Sequence, residues 1–180
     1  RAIIHADGNG LGEIFLNFDQ YTSSNRDYVD KYRRFSLALD VCTESAFLKA
    51  LNVFVGNPES NQNVSVKKKI PIIPLVLGGD DLTVVCDGRY ALNFTYEFLR
   101  AFEQETAKTE HYGGIIADVA KKALKVEHGR LSACAGVAIV KLHFPFSVAY
   151  ELAEDLMKKA KEIKKVIQYP NPDPQKVTPY

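Results

Sequence analysis

Short apolar runs alternate with longer stretches of helical spacing along this chain, and the alternation predicts a mixed fold. Ala2 to Ala6 is apolar except at His5 and reads as a short buried strand. It runs into Asp7-Gly8-Asn9-Gly10, a turn of residues that tolerate unusual backbone angles. Residues 11–18 predict the start of a short helix. Asn25 to Asp27 then offers caps for a longer one, whose apolar positions Tyr28, Tyr32, Phe35, Leu39, Cys42, Ala46 and Val53 keep a three-and-four spacing. The polar stretch 56–69 predicts an exposed loop. Ile70 to Leu77 predicts a strand whose pairing is limited by Pro71 and Pro74, and Leu82 to Cys86 a second. Only Gly78-Gly79-Asp80-Asp81 lies between them, so the two form a tight β-hairpin.

Asp87 is placed to cap the next helix, with the stripe Ala91, Phe94, Phe98 and Phe102. A mixed connection over 106–130 includes a helical piece from Ile115 to Leu124. Leu131 to Leu142 predicts a strand of small and β-branched residues. Pro145 and Ser147 then start a last helix, with Ala149, Leu152, Ala153, Leu156, Ala160 and Ile163 inward. Val166 to Tyr169 reads as a final short strand. The tail from Pro170 has four prolines in eleven residues and is expected to be extended or loose.

The order β-α-β-β-α-β-α predicts an α+β fold: a ferredoxin-like palm, an antiparallel sheet with helices packed on one face. Residues 1–169 form this domain, and 170–180 a proline-rich tail or a linker to a missing domain. The chain's 180 residues, 46% of them hydrophobic, suffice for one core. It opens on Arg1 and enters an apolar strand at once, so a piece of a longer chain is expected.

A net charge of +1 leaves no field strong enough to argue for nucleic-acid or membrane binding by charge alone. Three scattered cysteines, Cys42, Cys86 and Cys134, suggest neither disulfides nor zinc, and a reduced, cytoplasmic setting follows. No apolar run reaches the roughly 18–20 residues that span a bilayer, so no membrane partner is expected.

Chemistry concentrates in three carboxylates. Asp7 ends the first strand, and Asp80 and Asp81 sit at the hairpin tip. In a β-α-β-β sheet these strand ends converge at one edge. Carboxylates so placed repel one another unless a cation neutralises them. An oxygen-only set with open positions suits two Mg²⁺ or Mn²⁺ ions shared with substrate phosphates. Gly78 and Gly79 permit the turn and leave room for a nucleotide; Gly8 and Gly10 serve similarly beside Asp7, and Asn9 is a candidate ribose or phosphate contact. On the last helix Lys161 and Lys165 share a face and can reach a triphosphate if that face borders the sheet edge. Taken alone, Gly-Gly-Asp-Asp is a common turn; a strand-ending Asp7 at the right topological place makes it a site.

These motifs resemble those of a known family. His5 to Phe15 resembles the first palm motif of the large polymerase-cyclase subunit of type III CRISPR effector complexes. Leu75 to Leu82 is similar to that family's G-G-D-D hairpin, Ser132 to Ile139 to its following strand, and Tyr150 to Lys161 to its last palm helix. The resemblance covers residues 3–165. It implies a nucleotidyltransferase that joins ATP through 3′-5′ bonds into cyclic oligoadenylates in antiviral defence, with Asp7, Asp80 and Asp81 as metal ligands and Asp80 and Asp81 catalytic. Gly8, Asn9, Gly10, Gly78 and Gly79 would border the nucleotide, and Lys161 and Lys165 would contact phosphates, as in the related G-G-D-E-F diguanylate cyclases. Asp81-Leu82 instead of Glu-Phe argues against a diguanylate cyclase itself, and Asn9 stands where relatives often carry a second acid. The family's subunit has two palms, so the second nucleotide must come from a palm in a missing part of the chain or from a homodimer partner, within a CRISPR ribonucleoprotein. The alternatives are a non-catalytic nucleotide-binding palm that scaffolds a complex, or a class III mononucleotide cyclase.

Overall fold

The computed structural model describes residues 1–55, 70–124 and 129–166, the last four of these by their backbone alone. Strands β1 (Ala2–Gly8), β2 (Ile72–Gly78), β3 (Asp81–Cys86) and β4 (Ala133–Ile139) form one antiparallel sheet in the order β2-β3-β1-β4. This is the ferredoxin-like order. It puts β1 at the centre, paired to β3 from Ala2↔Cys86 to Ala6↔Leu82 and to β4 from Ala2↔Ile139 to Gly8↔Ala133. β2 is an edge strand with an irregularity between Pro74 and Val76, which is where a residue without an N–H is tolerated.

Helix α1 (Leu11–Leu16) leads through a 3₁₀ turn to the long α2 (Asn25–Ala50) and the short α3 (Asn52–Val55). The α2 cap is Ser24, one residue before the expected caps; its hydroxyl accepts from the Asp27 amide at 3.2 Å. Helix α4 spans Ala91–Thr106, α5 Ile115–Leu124 and α6 Phe146–Val166. The helical piece expected at Ile115 to Leu124 is therefore present with those bounds. Asp87 does not cap α4. Its carboxylate is held by Arg89 in a tight turn, and Tyr90 occupies the cap position without a side-chain bond.

The expectation of helices on one face holds for α2 and α4, whose Phe35, Leu39, Phe94, Phe98 and Phe102 pack on Ile4, Leu82 and Val84. It needs correcting for α6, which lies on the opposite face with Ala149 and Ala153 against Ile3 and Ala138. The reason is visible in β1: Ile3 and Ile4 point to opposite faces, and both are fully buried. The inward stripe of α6 also differs from expectation. Ala149, Ala153 and Met157 are buried, while Leu152 and Leu156 are exposed. Small residues win this face because α6 rides directly over Gly136 of β4: a Cβ built there would stand 1.9 Å from the Ala153 carbonyl oxygen. β4 is shorter than the strand expected over Leu131 to Leu142. Val166 ends α6 instead of opening a strand, and the rest of the strand expected to Tyr169 lies outside the described residues, as do the tail and the loop 56–69. Cys42 and Cys86 are free and buried, and burial pushes their thiols up to about 12 and about 11.

Candidate metal and nucleotide site

β1 and β3 run antiparallel with Ala6 opposite Leu82, so the C-terminal end of β1 and the N-terminal end of β3 meet at one edge. That pairing brings Asp7 to the hairpin. The hairpin is tighter than the four residues read between the strands, because Gly78 pairs with Asp81 and only Gly79-Asp80 form the loop. Gly79 supplies a φ of +57°, a region costly for any residue with a side chain. One carboxylate oxygen each from Asp7, Asp80 and Asp81 lies within 4.8 Å of the other two.

Burial raises the Asp80 carboxyl to about 6, and neighbouring Asp7 adds to the shift. Asp81 is also raised, first by burial and then by the charge of Asp7, against the opposing pull of His5 and Lys161. Clustered acids that resist ionising, with oxygen donors only and a partly open setting, fit a hard divalent cation. Asp7, Asp80 and Asp81 are the residues that would hold it.

Lys161 of α6 is brought to this edge. Its ammonium donates to Asp7 Oδ2 and, at 3.2 Å, to the Gly8 carbonyl. Lys165 falls on the same helix, but its side chain lies outside the described residues. Gly8 is at the cluster because nothing larger fits: a Cβ there would stand 2.8 Å from both Cβ and Oδ2 of Asp80. Asn9 turns inward. Its amide nitrogen donates to Ser132 Oγ at 3.0 Å and its backbone N–H to the Ser132 carbonyl at 2.8 Å, so it ties the β1 turn to the start of β4. Gly10, with φ +76°, is the N-cap of α1. It lines a separate cleft of about 290 Å³ with Glu13, Tyr21 and Lys122.

Two residues that sequence reasoning missed touch the hairpin from α2. Asp40 Oδ1 accepts from the Gly79 N–H, and the Thr43 hydroxyl donates to the Gly79 carbonyl. One turn apart on a helix, they read as ordinary polar positions, and no local signal marks them. His5 is half-buried, with Nδ1 at 2.9 Å from Thr83 Oγ1 and its ring beside Tyr150.

The family model for the second palm domain of Cas10/Cmr2 matches residues 1–166. The chain belongs to this family. Among solved structures, the Csm1–Csm4 cassette in complex with AMPPNP matches this palm with a TM-score of 0.54 at 16% identity, over 90% of this chain and 19% of that one. Csm1 from T. onnurineus gives the same figures. The Csm1–Csm4 subcomplex of the type III-A CRISPR-Csm interference complex matches at a TM-score of 0.50 and 17% identity, over 92% of this chain and 19% of that one. At these identities the likeness is one of fold, and it agrees with the palm read from Gly-Gly-Asp-Asp. The palm spans about a fifth of the length of these neighbours. No curated protein matches it. Among the described residues no helix is long and apolar enough to cross a membrane.

Proposed function

We propose that this Cas10-type palm is a metal-dependent nucleotidyltransferase that joins ATP into cyclic oligonucleotides with release of pyrophosphate. The observation that carries this reading is the convergence of Asp7, Asp80 and Asp81 within 4.8 Å. Those residues would hold two Mg²⁺ or Mn²⁺ ions, whose chemistry is to lower the pKa of the attacking hydroxyl and offset charge on the leaving pyrophosphate. In the reaction the 3′-oxygen of one ATP forms a bond to the α-phosphorus of another. The bond from that phosphorus to the β-bridging oxygen breaks, and the hydroxyl proton passes to solvent.

The chain's own part is to bind and orient. Burial and the charge of Asp7 make Asp80 and Asp81 harder to ionise, so both would become better cation ligands as pH rises. Gly78 and Gly79 leave the hairpin without side chains where a nucleotide approaches. Lys161, a flexible cation that donates to Asp7, would take a phosphate oxygen in exchange for that carboxylate. Lys165 would assist from one turn further along. Gly8 would border the nucleotide, and Asn9 and Gly10 would act through the turn they build. A Csm1–Csm4 neighbour of the same fold was solved with AMPPNP, which is the ligand class proposed here. The second nucleotide would come from another palm, elsewhere in a longer chain or in a homodimer partner, inside a type III CRISPR ribonucleoprotein in the cytoplasm. Residues 1–169 would constitute this unit, with 170–180 leading onward.

Incubation of the protein with ATP and Mn²⁺, followed by mass spectrometry, is expected to give cyclic oligoadenylates and pyrophosphate. The double change Asp80→Ala with Asp81→Ala should abolish them. Undiminished product from the double variant would sink the assignment. Cyclic AMP as sole product would favour a mononucleotide cyclase, and ATP binding without turnover a scaffolding palm.

A further inference from the structure

The hairpin that carries Asp80 has only two loop residues, and both polar groups of the first are taken by side chains of a distant helix. The Gly79 N–H donates to Asp40 Oδ1, and the Gly79 carbonyl accepts from the Thr43 hydroxyl. In a two-residue loop these groups point away from the strand ladder and can be satisfied by water at little cost. Here they are fixed to α2 instead.

We propose that Asp40 and Thr43 are positioning residues for the acidic cluster, holding the Gly79 peptide groups so that Asp80 meets Asp7. The inference deepens the metal reading and rests on it. The Gly79 carbonyl and the Asp80 N–H belong to one rigid peptide plane, so orienting the carbonyl restricts the φ of Asp80 and the direction of its Cα–Cβ bond. From the other side Asp80 lies against Gly8, where a built Cβ would stand 2.8 Å from its Cβ and Oδ2 and so collide with it. Asp80 is therefore held between β1 and the clamp from α2. The two clamp members differ in setting. Thr43 is fully buried, so its bond is shielded from water, while Asp40 is exposed at the rim. Neither residue is among the three whose oxygens converge, so each acts through Gly79.

The 180-residue protein and four variants, Asp40→Ala, Asp40→Asn, Thr43→Val and Thr43→Ser, would be titrated with Mn²⁺ alone by calorimetry. Amide hydrogen exchange at Gly79 and Asp80 would be followed in parallel. Asp40→Ala and Thr43→Val should bind Mn²⁺ about 10-fold more weakly. Asp40→Asn, which keeps an oxygen acceptor, and Thr43→Ser, which keeps the hydroxyl, should recover most of the affinity. A role confined to docking α2 would lower stability without this split between truncating and conservative changes. Wild-type Mn²⁺ affinity in both Asp40→Ala and Thr43→Val would overturn the inference. If the wild type takes up no Mn²⁺, the metal reading fails, and exchange decides the clamp alone. Protection of the Gly79 amide that Asp40→Ala abolishes would support it; equally fast exchange in both proteins would overturn it. Should Thr43→Val fail to fold, the Asp40 pair, being exposed, carries the same comparison.

Discussion

Asp80 is held ready to take a proton. Its carboxyl stands at about 6 in the folded chain against an ordinary 3.8, with burial as the main cause and Asp7 as the second. The folded state therefore binds this proton more tightly than the unfolded state. The associated stability is fully present below 3.8 and is lost as pH rises through about 6. A divalent cation reverses the situation, because it binds the ionised form. Mn²⁺ is accordingly expected to raise the melting temperature more at about pH 8 than at about pH 5. Asp80→Asn should raise the metal-free melting temperature by a few degrees near neutrality and remove most of the Mn²⁺ response. Thermal unfolding with and without metal measures both. A Mn²⁺ shift of equal size at the two pH values would contradict the electrostatic account.

At the scale of elements, the position of α6 decides where Lys161 can reach. Ala153, Met157 and Gly136 form the seat, and the helix backbone approaches β4 so closely that a methyl group at Gly136 would stand 1.9 Å from the Ala153 oxygen and 2.6 Å from the Met157 nitrogen. Backbone cannot yield as a flexible side chain can, so Gly136→Ala must lift the helix. The expected cost is about 3 kcal/mol in urea denaturation. Lys161 should also leave Asp7, which nuclear magnetic resonance of the lysine ammonium would report. A Gly136→Ala protein of wild-type stability would show that α6 is not seated as described. The helix was expected from sequence, and its face only in part: Ala149 and Ala153 are inward as expected, while Leu152 and Leu156, the stronger apolar signal, are exposed and Met157 is buried in their place.

At the scale of the molecule, a buried ionic cluster joins the helical layer among the described residues. Glu105 of α4 is 1% exposed and meets Lys49 of α2, Lys108 at 3.0 Å and His111 at 2.8 Å. Burial opposes ionisation here, but Lys49, His111 and Lys108 together outweigh it and hold the carboxyl down at about 2. The stability it contributes is present above 4.5 and is lost as pH falls through about 2. Glu105→Gln should cost about 2 kcal/mol at neutral pH and flatten the acid limb of the stability curve. Acid titration of the two proteins by circular dichroism tests this, and parallel acid limbs would count against it. Because α2 also carries Asp40 and Thr43, loosening this anchor should be felt at the hairpin. The two ends of the pH range thus act on different parts: Glu105 on the layer, Asp80 on the site.

Much of this was legible along the chain, because period and turn chemistry are local properties. The run Ala2 to Ala6, the Phe94-Phe98-Phe102 stripe and the hairpin around Gly79 fixed the element order, and the order with Asp7 at a strand end was enough to foresee three carboxylates at one edge. Other features depend on which surfaces meet, and no spacing encodes that. They include α6 on the far face, Asn9 turned toward Ser132, Gly136 beneath a helix backbone, Glu105 among its cations, and Asp40 and Thr43 on the Gly79 peptide. Each is a contact between residues distant in sequence whose side chains look ordinary where they stand. Local periodicity sets what a segment becomes; close packing of segments against one another sets which of its residues do chemistry.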